Sequence, residues 1–321
     1  NINLKKEKRV LESKLFHSYD IVGQSQSIEK VKSLINKLSS TESRVFISGP
    51  AGSGKELVAR QIHRKSSRSK NPFVVVNGAL LDPQKYELEL FGSENKNDTT
   101  SYGFFEKAKD GTLLIDEITE IPLETQAKIL RVLIDQKFRR LNSSREINVN
   151  VRIISTSSKN IREEVDKGNF REDLYHRLNV VPINLPALKE RPEDIPMLLN
   201  YFSKKISELN GTAETKIDTN FNMFYEYDWP GNVRELENLC RLLTVVAPGR
   251  VVTLTDLPSG FNTAANLGEP AQTWQQLLGR VVADRRSGGH RDILSEVGPD
   301  FERVLLRTAL SFTRGRKQEA A

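Results

Sequence analysis

One segment, residues 44–63, constrains the fold of this chain more than any other feature, and it reads RVFISGPAGSGKELVARQIH. Its first five residues are a β-branched and aromatic run that predicts a strand, and Glu56 to His63 have a helical composition. The glycine-rich turn between them suits no regular element. Strand, glycine loop and helix in this order are the context that a phosphate-binding loop requires, which disfavours the alternative of an incidental glycine-rich turn.

The residues of this loop have separate roles in binding phosphate. The glycines let backbone N–H groups converge on phosphate oxygens, the helix N-terminus adds its dipole, and Lys55 reaches the β- and γ-phosphates. Glu56 follows at the same site, where the general motif has a Ser or Thr that binds Mg²⁺. We therefore expect a nucleotide to be bound by Gly49, Pro50, Ala51, Gly52, Ser53, Gly54, Lys55 and Glu56.

A pair of adjacent acids, Asp116 and Glu117, ends the segment GTLLIDEI. Thr112 to Ile115 predict a buried strand, so the acids emerge at its carboxyl end, the edge where α/β sheets bind ligands. Asp116 is expected to hold Mg²⁺, directly or through water, and Glu117 to polarise the attacking water. The alternative is that the two acids form only a solvated turn.

Composition limits the class of protein without choosing a function. A chain of 321 residues, 37% hydrophobic and 28% charged, has room for one substantial α/β core and smaller helical parts. No apolar run approaches the roughly 20 residues that a membrane span needs. Cys240 is the only cysteine and the four histidines are scattered, which predicts a reducing cytoplasm and no zinc site. The net charge of +6 suits nucleic-acid or polyphosphate partners, although ordinary domains can be this basic.

Eight ordered segments carry a resemblance to a known family. They are IVGQS, GPAGSGKE, ELFG, GTLLIDEI, LRVL, GNFREDLYHRLNVVPINLPAL, ERPEDIP and WPGNVRELEN. From about Ile21 to Leu257 the chain resembles the AAA+ domain of bacterial sigma-54-dependent transcription regulators, the NtrC group. The resemblance implies an α/β fold: a P-loop NTPase core with a parallel sheet over residues 21–190, a helical lid over 191–257 and a C-terminal helical segment. Glu commonly follows the loop lysine in that family.

The resemblance assigns roles to residues outside these two motifs. Asn77 matches the asparagine that restrains the catalytic glutamate until the γ-phosphate is sensed. Arg171 and Arg177 match arginines that are offered to the nucleotide of the neighbouring subunit, which makes hydrolysis depend on a ring. The alternative is that both arginines pair with Glu172 and Asp173 on a surface helix.

Further nucleotide contacts are implied by the same resemblance. Arg234 matches the lid arginine that contacts bound nucleotide, with an ion pair to Glu237 as the alternative. Ser157 and Ser158 stand where the family usually has Thr and Asn at its sensor of the γ-phosphate. Ser157 keeps a hydroxyl, whereas Ser158 is shorter than Asn. The set of nucleotide-binding residues is completed by Ile21, Val22, Ser157 and Arg234.

Both ends of the chain are interpreted as flanking segments. Residues 1–20 predict a charged linker helix, which in the family follows a receiver domain, the target of a sensor kinase. Because the chain opens at Asn1, we interpret it as a fragment. Residues 258–298 are a predicted linker, and 299–321 resemble the start of a Fis-like DNA-binding domain without its recognition helix. DNA is therefore an expected partner only of a complete domain. The alternative is that residues 299–321 form a basic tail with no role in DNA binding, or that the chain joins two related sequences.

The stretch ELFGSENKNDTTSYGFFEKA departs from the activators of the family. There, the segment after ELFG carries a Gly-Ala-Phe-Thr-Gly-Ala insertion whose aromatic tip is pushed against sigma-54. Here Ser93 to Ser101 are polar throughout, which gives a partner surface little apolar area to desolvate. The departure resembles the NtrX subgroup, and we expect a loop that connects two apolar anchors without contacting sigma-54.

The leading interpretation is an AAA+ transcription regulator that binds ATP, hydrolyses it to ADP and phosphate, and works as a homo-oligomer between a dimer and a hexameric ring. An alternative from another class is a non-motor DNA-binding response regulator in which nucleotide only controls oligomerisation. An unrelated AAA+ chaperone or clamp loader is disfavoured by WPGNVREL and FREDLYHRLNV.

Overall fold

The computed structural model describes residues 20–82, 84–94, 100–219 and 221–258. The predicted linker helix, except residue 20, lies outside these ranges, as do residues 259–298 of the predicted linker and the whole Fis-like segment. The described residues form a parallel sheet flanked by helices, two β-hairpins and a helical lid. Within them, no helix is both long enough and apolar enough to span a membrane.

The core elements alternate between strand and helix along much of the chain. In order they are α1 (Gln26–Leu38), β1 (Val45–Ser48), α2 (Lys55–Lys65), β2 (Phe73–Asn77), α3 (Tyr86–Phe91), β3 (Gly92–Glu94), β4 (Thr100–Tyr102), α4 (Phe104–Lys107), β5 (Thr112–Asp116), α5 (Leu123–Asp135), β6 (Lys137–Arg139), β7 (Glu146–Asn148), β8 (Arg152–Ser157), α6 (Ile161–Asp166), α7 (Glu172–Leu178) and β9 (Val181–Asn184). The lid helices are α8 (Ile195–Asn210), α9 (Met223–Glu226) and α10 (Asn232–Val246). Single 3-10 turns cover Ile118–Glu120, Leu188–Glu190, Pro192–Asp194 and Leu254–Asp256.

Five strands form one sheet in the order β2-β5-β8-β1-β9, and every neighbouring pair is parallel. The carboxyl ends of these strands therefore meet at one edge. The register places Asn77 opposite Asp116 and Ser48 opposite Ser157. This topology confirms the predicted α/β class and brings the phosphate loop after β1 to the same edge as the acidic pair after β5.

Both faces of the sheet are covered by apolar side chains, which explains why its central strands are almost continuously apolar. Along β5, Leu113 and Ile115 join the core cluster on one face, and Leu114 joins the cluster on the other. Helix α1 covers the Leu114 face. It begins after Ser25, whose side chain accepts a hydrogen bond from the Ile28 N–H. Its buried residues recur at helical spacing: Ile28, Val31, Ile35 and Leu38.

The polar run from Ser93 to Ser101 has structured ends. Strand β3 pairs antiparallel with β4, Ser93 is buried, and the anchors Phe91 and Phe105 stack with ring centroids 5.5 Å apart. Leu141 joins this hairpin to the one formed by β6 and β7, since its N–H donates to Gly92 O at 3.0 Å. The polar run therefore begins and ends within a hairpin rather than as a bare connection, and its residues 95–99 lie outside the described ranges.

The lid has a core of its own, formed by the buried faces of α8 and α10 together with Trp229. Trp229 is almost fully buried, and its indole Nε1 donates to Phe224 O at 2.9 Å. Its φ of +48° is unusual for a bulky residue and belongs to the sharp turn that precedes α10. The tryptophan thus lies in the turn that separates α9 from α10.

Candidate nucleotide-binding site

The phosphate loop follows β1 and leads directly into the first turn of α2. Gly54 caps this helix with φ +104° and ψ +21°, a left-handed conformation that residues with a Cβ rarely adopt. Gly52 also has a positive φ of +76°. Because the unpaired N–H groups at the start of α2 carry partial positive charge, the end of the helix beneath this loop favours a bound phosphate.

Lys55 is placed between the loop and the acidic pair. Its side chain is only 6% exposed, and Nζ donates to Gly49 O at 2.9 Å. The same Nζ lies 3.2 Å from Glu117 Oε1. Lys55 thus meets both the loop and the acid that sequence reasoning assigned to this site.

Asp116 receives hydrogen bonds from both neighbouring strands. Its Oδ2 accepts from Asn77 Nδ2 at 2.7 Å, and its Oδ1 accepts from Thr156 Oγ1 at 2.5 Å. Burial raises the pKa of Asp116, and the nearby charge of Glu117 adds to this rise, while the Thr156 bond and Lys55 oppose it. Asp116 is a partly desolvated carboxylate beside a phosphate loop, and a bound hard cation would balance its negative charge. The residue therefore fits the predicted role of a Mg²⁺ ligand.

Glu117 is held in a strained conformation with φ +51° and ψ +53°. Its Oε2 accepts from both the N–H and the Oγ of Ser158, each at 2.8 Å. Burial alone would raise the pKa of Glu117, but the bonds from Ser158 and the charge of Lys55 outweigh it and hold that pKa below its ordinary value. The carboxyl group is therefore ionised at neutral pH.

The contacts of Asn77 and Glu56 differ from those that the sequence suggested. Asn77 was assigned to restrain Glu117, but its amide donates to Asp116, with which it is paired in the sheet. In this arrangement Ser158, not Asn77, holds Glu117. Glu56 is turned along its own helix toward Arg60, whose Nη2 donates to it at 2.6 Å. Its carboxylate is therefore engaged with a cation one turn away.

Ser157, the expected sensor of the γ-phosphate, is fully buried beneath the edge of the sheet. Its hydroxyl donates to Lys159 O at 2.8 Å, accepts from the Lys159 N–H at 3.0 Å and lies 3.2 Å from Thr119 Oγ1. These bonds close the turn after β8. The Ser157 hydroxyl thus holds the turn that presents Ser158 to Glu117.

A cleft of about 600 Å³ runs along the phosphate loop between the core and the lid. Ile21 and Val22 line it from the core, and Tyr201, Arg191 and Arg234 line it from the lid. Asn77, Asp116 and Glu117 lie on the same cleft, as do Ala51, Gly52, Ser53, Gly54, Lys55 and Glu56. The structure therefore brings together most of the predicted nucleotide-binding residues.

The three predicted arginines are placed differently. Arg234 is exposed on the cleft, and Glu237, its alternative partner, pairs instead with Arg241 at 2.6 Å. Arg171 donates to Asp173 at 2.7 and 3.0 Å, the pairing that was its alternative. Arg177 is exposed on α7 and has no ion pair within the described residues. The described residues that line the cleft include neither Arg171 nor Arg177.

Two side chains at this site, Thr156 and Ser158, were not assigned their present roles from sequence. Thr156 bonds Asp116 and also accepts from the Glu117 N–H at 3.1 Å. The one available signal was the hydroxyl-rich end of β8, RIISTSS, on a strand that the topology places beside the acidic pair.

A glycine phosphate loop, an acidic pair on the adjacent strand and a helical lid over the cleft together define an AAA+ P-loop nucleotide-binding fold. Family models agree: that of the sigma-54 interaction domain matches residues 21–184, and that of the AAA+ ATPase lid domain matches residues 189–273. The chain belongs to the sigma-54 interaction domain family.

Its relatives include regulators of two related kinds. It is 42% identical over 311 residues to the DNA-binding transcriptional regulator NtrC of Klebsiella pneumoniae, an alignment that covers 94% of this chain and 66% of that protein. It is 39% identical over 313 residues to the nitrogen assimilation regulatory protein NtrX of Azorhizobium caulinodans, covering 96% and 69%. The chain thus spans about two thirds of the length of these relatives.

Solved structures of NtrX from Brucella abortus are similar to this chain. The structure in complex with ADP has 37% identity and a TM-score of 0.75, covering 99% of this chain and 69% of that one. The structure in complex with ATP has 35% identity and a TM-score of 0.72, covering 99% and 71%. The shared fold thus extends beyond the core to the lid.

Proposed function

We propose that this chain binds ATP with Mg²⁺ and hydrolyses it to ADP and phosphate. One observation carries the proposal: the Nζ of Lys55 lies 3.2 Å from the ionised Glu117, at the mouth of the phosphate loop. Lys55, the cation for the phosphates, thus lies next to Glu117, the base for the attacking water. The ADP and ATP complexes of the related Brucella abortus NtrX support a nucleotide as the ligand.

The geometry supports a proposed role for each of these residues when nucleotide enters. Phosphate oxygens would compete with Gly49 O and Glu117 for the ammonium of Lys55, which would turn toward the β- and γ-phosphates. Glu117 would then be free on one side to accept a hydrogen bond from water while Ser158 still holds its other oxygen. Asp116 would hold Mg²⁺, which when bound neutralises charge on the phosphate oxygens.

A transferring phosphoryl group is often stabilised by an arginine that a neighbouring subunit supplies, in addition to the cations of its own site. The basic residues that line the described cleft of one chain are Lys55, Arg60, Arg191, Lys205, Arg234 and Arg241. We propose that Arg177, exposed and without an ion pair in the described ranges, is offered to the nucleotide of a neighbouring copy. Arg171 is the second candidate, and it would have to leave Asp173 to do so. This role requires a homo-oligomer, between a dimer and a hexameric ring.

The wider role that we propose is transcription regulation, as the names of the NtrC and NtrX relatives suggest. In a longer chain, DNA would be bound by a complete C-terminal domain, and a sensor kinase would act on a receiver domain. A cytoplasmic location follows from that role.

We further propose that the hairpin of β3 and β4 does not contact sigma-54 and does not push on it during ATP hydrolysis. Residues 93–101 contain no apolar side chain, so they offer little differential affinity between nucleotide states. With an ATP transition-state analogue bound, the protein is expected not to capture sigma-54. Grafting an aromatic Gly-Ala-Phe-Thr-Gly-Ala loop in place of residues 93–101 should restore capture. Capture by the unaltered protein would contradict this part of the proposal.

A second candidate function is favoured by the same ion pair that carries the first. While Lys55 and Glu117 neutralise each other, neither is available for chemistry, so nucleotide could serve only to control oligomerisation.

Both candidate functions require that the chain binds nucleotide. Lys55→Ala is expected to abolish binding of a fluorescent ATP analogue, whereas Lys65→Ala, ten residues further along at the end of the same helix, should leave it unchanged. Equal binding by both variants would contradict the site.

A further inference from the structure

The lid donates hydrogen bonds to the backbone of the phosphate loop at three consecutive residues. Each of three neighbouring carbonyl groups accepts one hydrogen bond from a different donor in the lid. The bonds run from Asn232 Nδ2 to Ala51 O at 2.9 Å, from the Arg234 N–H to Gly52 O at 3.3 Å and from Arg191 Nη2 to Ser53 O at 3.2 Å. We call this set of three bonds the carbonyl clasp.

The carbonyl clasp fixes the orientation of the peptide groups in the loop. In a trans peptide the C=O and the following N–H point in opposite directions. Carbonyls held toward the lid therefore turn the N–H groups of Gly52 and Gly54 away from it, while the Ser53 N–H closes a turn by donating to Pro50 O at 3.2 Å. Amide groups arranged in this way are what a phosphate loop offers to its ligand.

Asn232 is the donor of the three that contacts the phosphate loop without lining the cleft. The residue is 3% exposed, and its side chain bridges two segments, because Oδ1 accepts from the Leu188 N–H at 2.8 Å while Nδ2 donates to Ala51 O. Nδ2 also lies 3.4 Å from Pro230 O in its own loop. Unlike Arg191 and Arg234, Asn232 is absent from the described residues that line the cleft.

The fit between the lid and the loop leaves no space for a side chain at the point of contact. A Cβ added to Gly52 would lie 2.2 Å from Gly231 O, closer than any real contact, and the positive φ of Gly52 adds to the cost. The lid also holds the segment beside Val22, since Asp194 accepts from the Ser25 N–H and hydroxyl at 2.8 and 2.6 Å. The lid is thus bonded to two segments of the core, the phosphate loop and the segment beside Val22.

We propose that Asn232 is a positioning residue for the nucleotide: through the carbonyl clasp, the lid holds the phosphate loop in the shape that receives phosphate, and affinity depends on a side chain that does not touch the ligand. The choice of ATP as the ligand rests on the proposed function. The ordering of the loop by Asn232 does not, because it precedes binding.

Two substitutions remove the bond to Ala51 O, and one of them keeps the bond from Leu188. Asn232→Asp keeps an oxygen for the Leu188 N–H and tolerates the φ of +53°, but it cannot donate to Ala51 O. Asn232→Gly tolerates the backbone conformation without adding a charge, but it loses both that donor and the acceptor for the Leu188 N–H. The matched control is Asn238→Asp, the same chemical change at an exposed position of α10.

The full chain and its variants are compared by titration with a fluorescent ATP analogue and Mg²⁺. Both Asn232 variants are expected to raise the Kd about tenfold and the KM for ATP by a similar factor, with kcat at saturating ATP changed less than twofold. Asn238→Asp should match the unaltered chain. Thermal unfolding identifies a variant that does not fold, and Asn232→Gly decides the matter where the charged variant is unfolded.

A second measurement needs no nucleotide. Without ligand, hydrogen exchange of the Ser53 amide, whose N–H donates to Pro50 O, is expected to be about tenfold faster in the Asn232 variants than in the Asn238→Asp control. Unchanged exchange overturns the inference, with or without weaker binding, since Asn232 would then not order the loop. Faster exchange with unchanged Kd also overturns it. If the unaltered chain binds no ATP while exchange responds as expected, the proposed function fails and the ordering of the loop by Asn232 stands.

Discussion

Ser158 holds Glu117 with two hydrogen bonds to one carboxylate oxygen, from its backbone N–H and from its hydroxyl, each 2.8 Å long. The shorter side chain at a position where the family usually has Asn therefore does not break contact with the acid. The Ser158 side chain places its hydroxyl donor directly against the Glu117 carboxylate. Ser158 bonds Oε2 of Glu117, whereas Lys55 lies 3.2 Å from Oε1, so each oxygen of the carboxylate has its own partner.

Removing the Ser158 hydroxyl should affect hydrolysis more than binding. Ser158→Ala keeps the backbone bond and loses the other, so Glu117 is oriented less well, and we expect kcat for ATP to fall about three- to tenfold. The Kd for an ATP analogue should change less than twofold, since Ser158 donates to Glu117 and not to the phosphate loop. Ser158→Thr, which restores a hydroxyl, should recover most of the rate. A kcat equal to that of the unaltered chain would show that the hydroxyl bond has no role.

Hydrolysis should require contact between copies of the chain if Arg177 acts on a neighbour. Turnover is then expected to rise faster than linearly with protein concentration as rings form. Arg177→Ala and Glu117→Gln should each be inactive, while their mixture regains some activity, because mixed interfaces contain one intact site. Arg162→Ala, at an exposed arginine of α6, is the control and should stay active. Strictly proportional rates with no recovery on mixing would contradict a role in trans.

The stability of the core should depend on pH through His63. Burial lowers the pKa of His63, and the charges of Arg152 and Arg60 add to this effect. Its Nδ1 lies 2.9 Å from Thr112 Oγ1 in the core. The unfolded chain therefore binds a proton at higher pH than the folded one. The contribution is fully present above the unfolded pKa of about 6.5, and it is lost as pH falls from there toward the folded pKa.

Urea denaturation at pH 7.5 and pH 5.5 measures this dependence. The free energy of unfolding is expected to fall by about 1 kcal/mol between the two, since each pH unit contributes at most about 1.4 kcal/mol per proton. His63→Gln should flatten the dependence, whereas His176→Gln on the exposed face of α7 should leave it unchanged. The same slope in the unaltered chain and in His63→Gln would assign the effect to other groups.

The thiol of Cys240 should be inert in the folded protein. It is fully buried in the lid core, and burial raises its pKa to about 12. Since only the thiolate reacts and this is the only cysteine of the chain, labelling by an aromatic disulfide reagent reports opening of the lid alone. We expect labelling at least 100-fold slower than in 6 M guanidinium, about the concentration that unfolds most domains. Rapid labelling of the folded protein would contradict a packed lid.

Local sequence was sufficient for the parts of the site that are contiguous in the chain. The strand, the glycine loop and Lys55 follow from spacing and composition, and Asp116 and Glu117 follow from their position after a buried strand. The parallel sheet then places both at one edge. These features depend on backbone geometry that nearby residues impose.

The contacts that orient the two acids could not be predicted in the same way. Thr156 reaches Asp116 across 40 positions of sequence, and Asn77 reaches it across 39. Which carboxylate each side chain meets depends on the register between strands, and that register pairs Asn77 with Asp116. The bond from Asn232 to Ala51 spans 181 positions, and only the packing of the lid against the core creates it.

The central claim, that this chain is a nucleotide hydrolase with Glu117 as its base, is tested most directly by ATP turnover in the unaltered chain and in Glu117→Gln. Phosphate release should be measured with Mg²⁺, at saturating ATP and at a protein concentration where copies associate. We expect turnover by the unaltered chain, a loss of about 100-fold or more in Glu117→Gln, and an unchanged Kd for the ATP analogue. Tight ATP binding with no turnover by the unaltered chain, or equal turnover by both proteins, would contradict this claim.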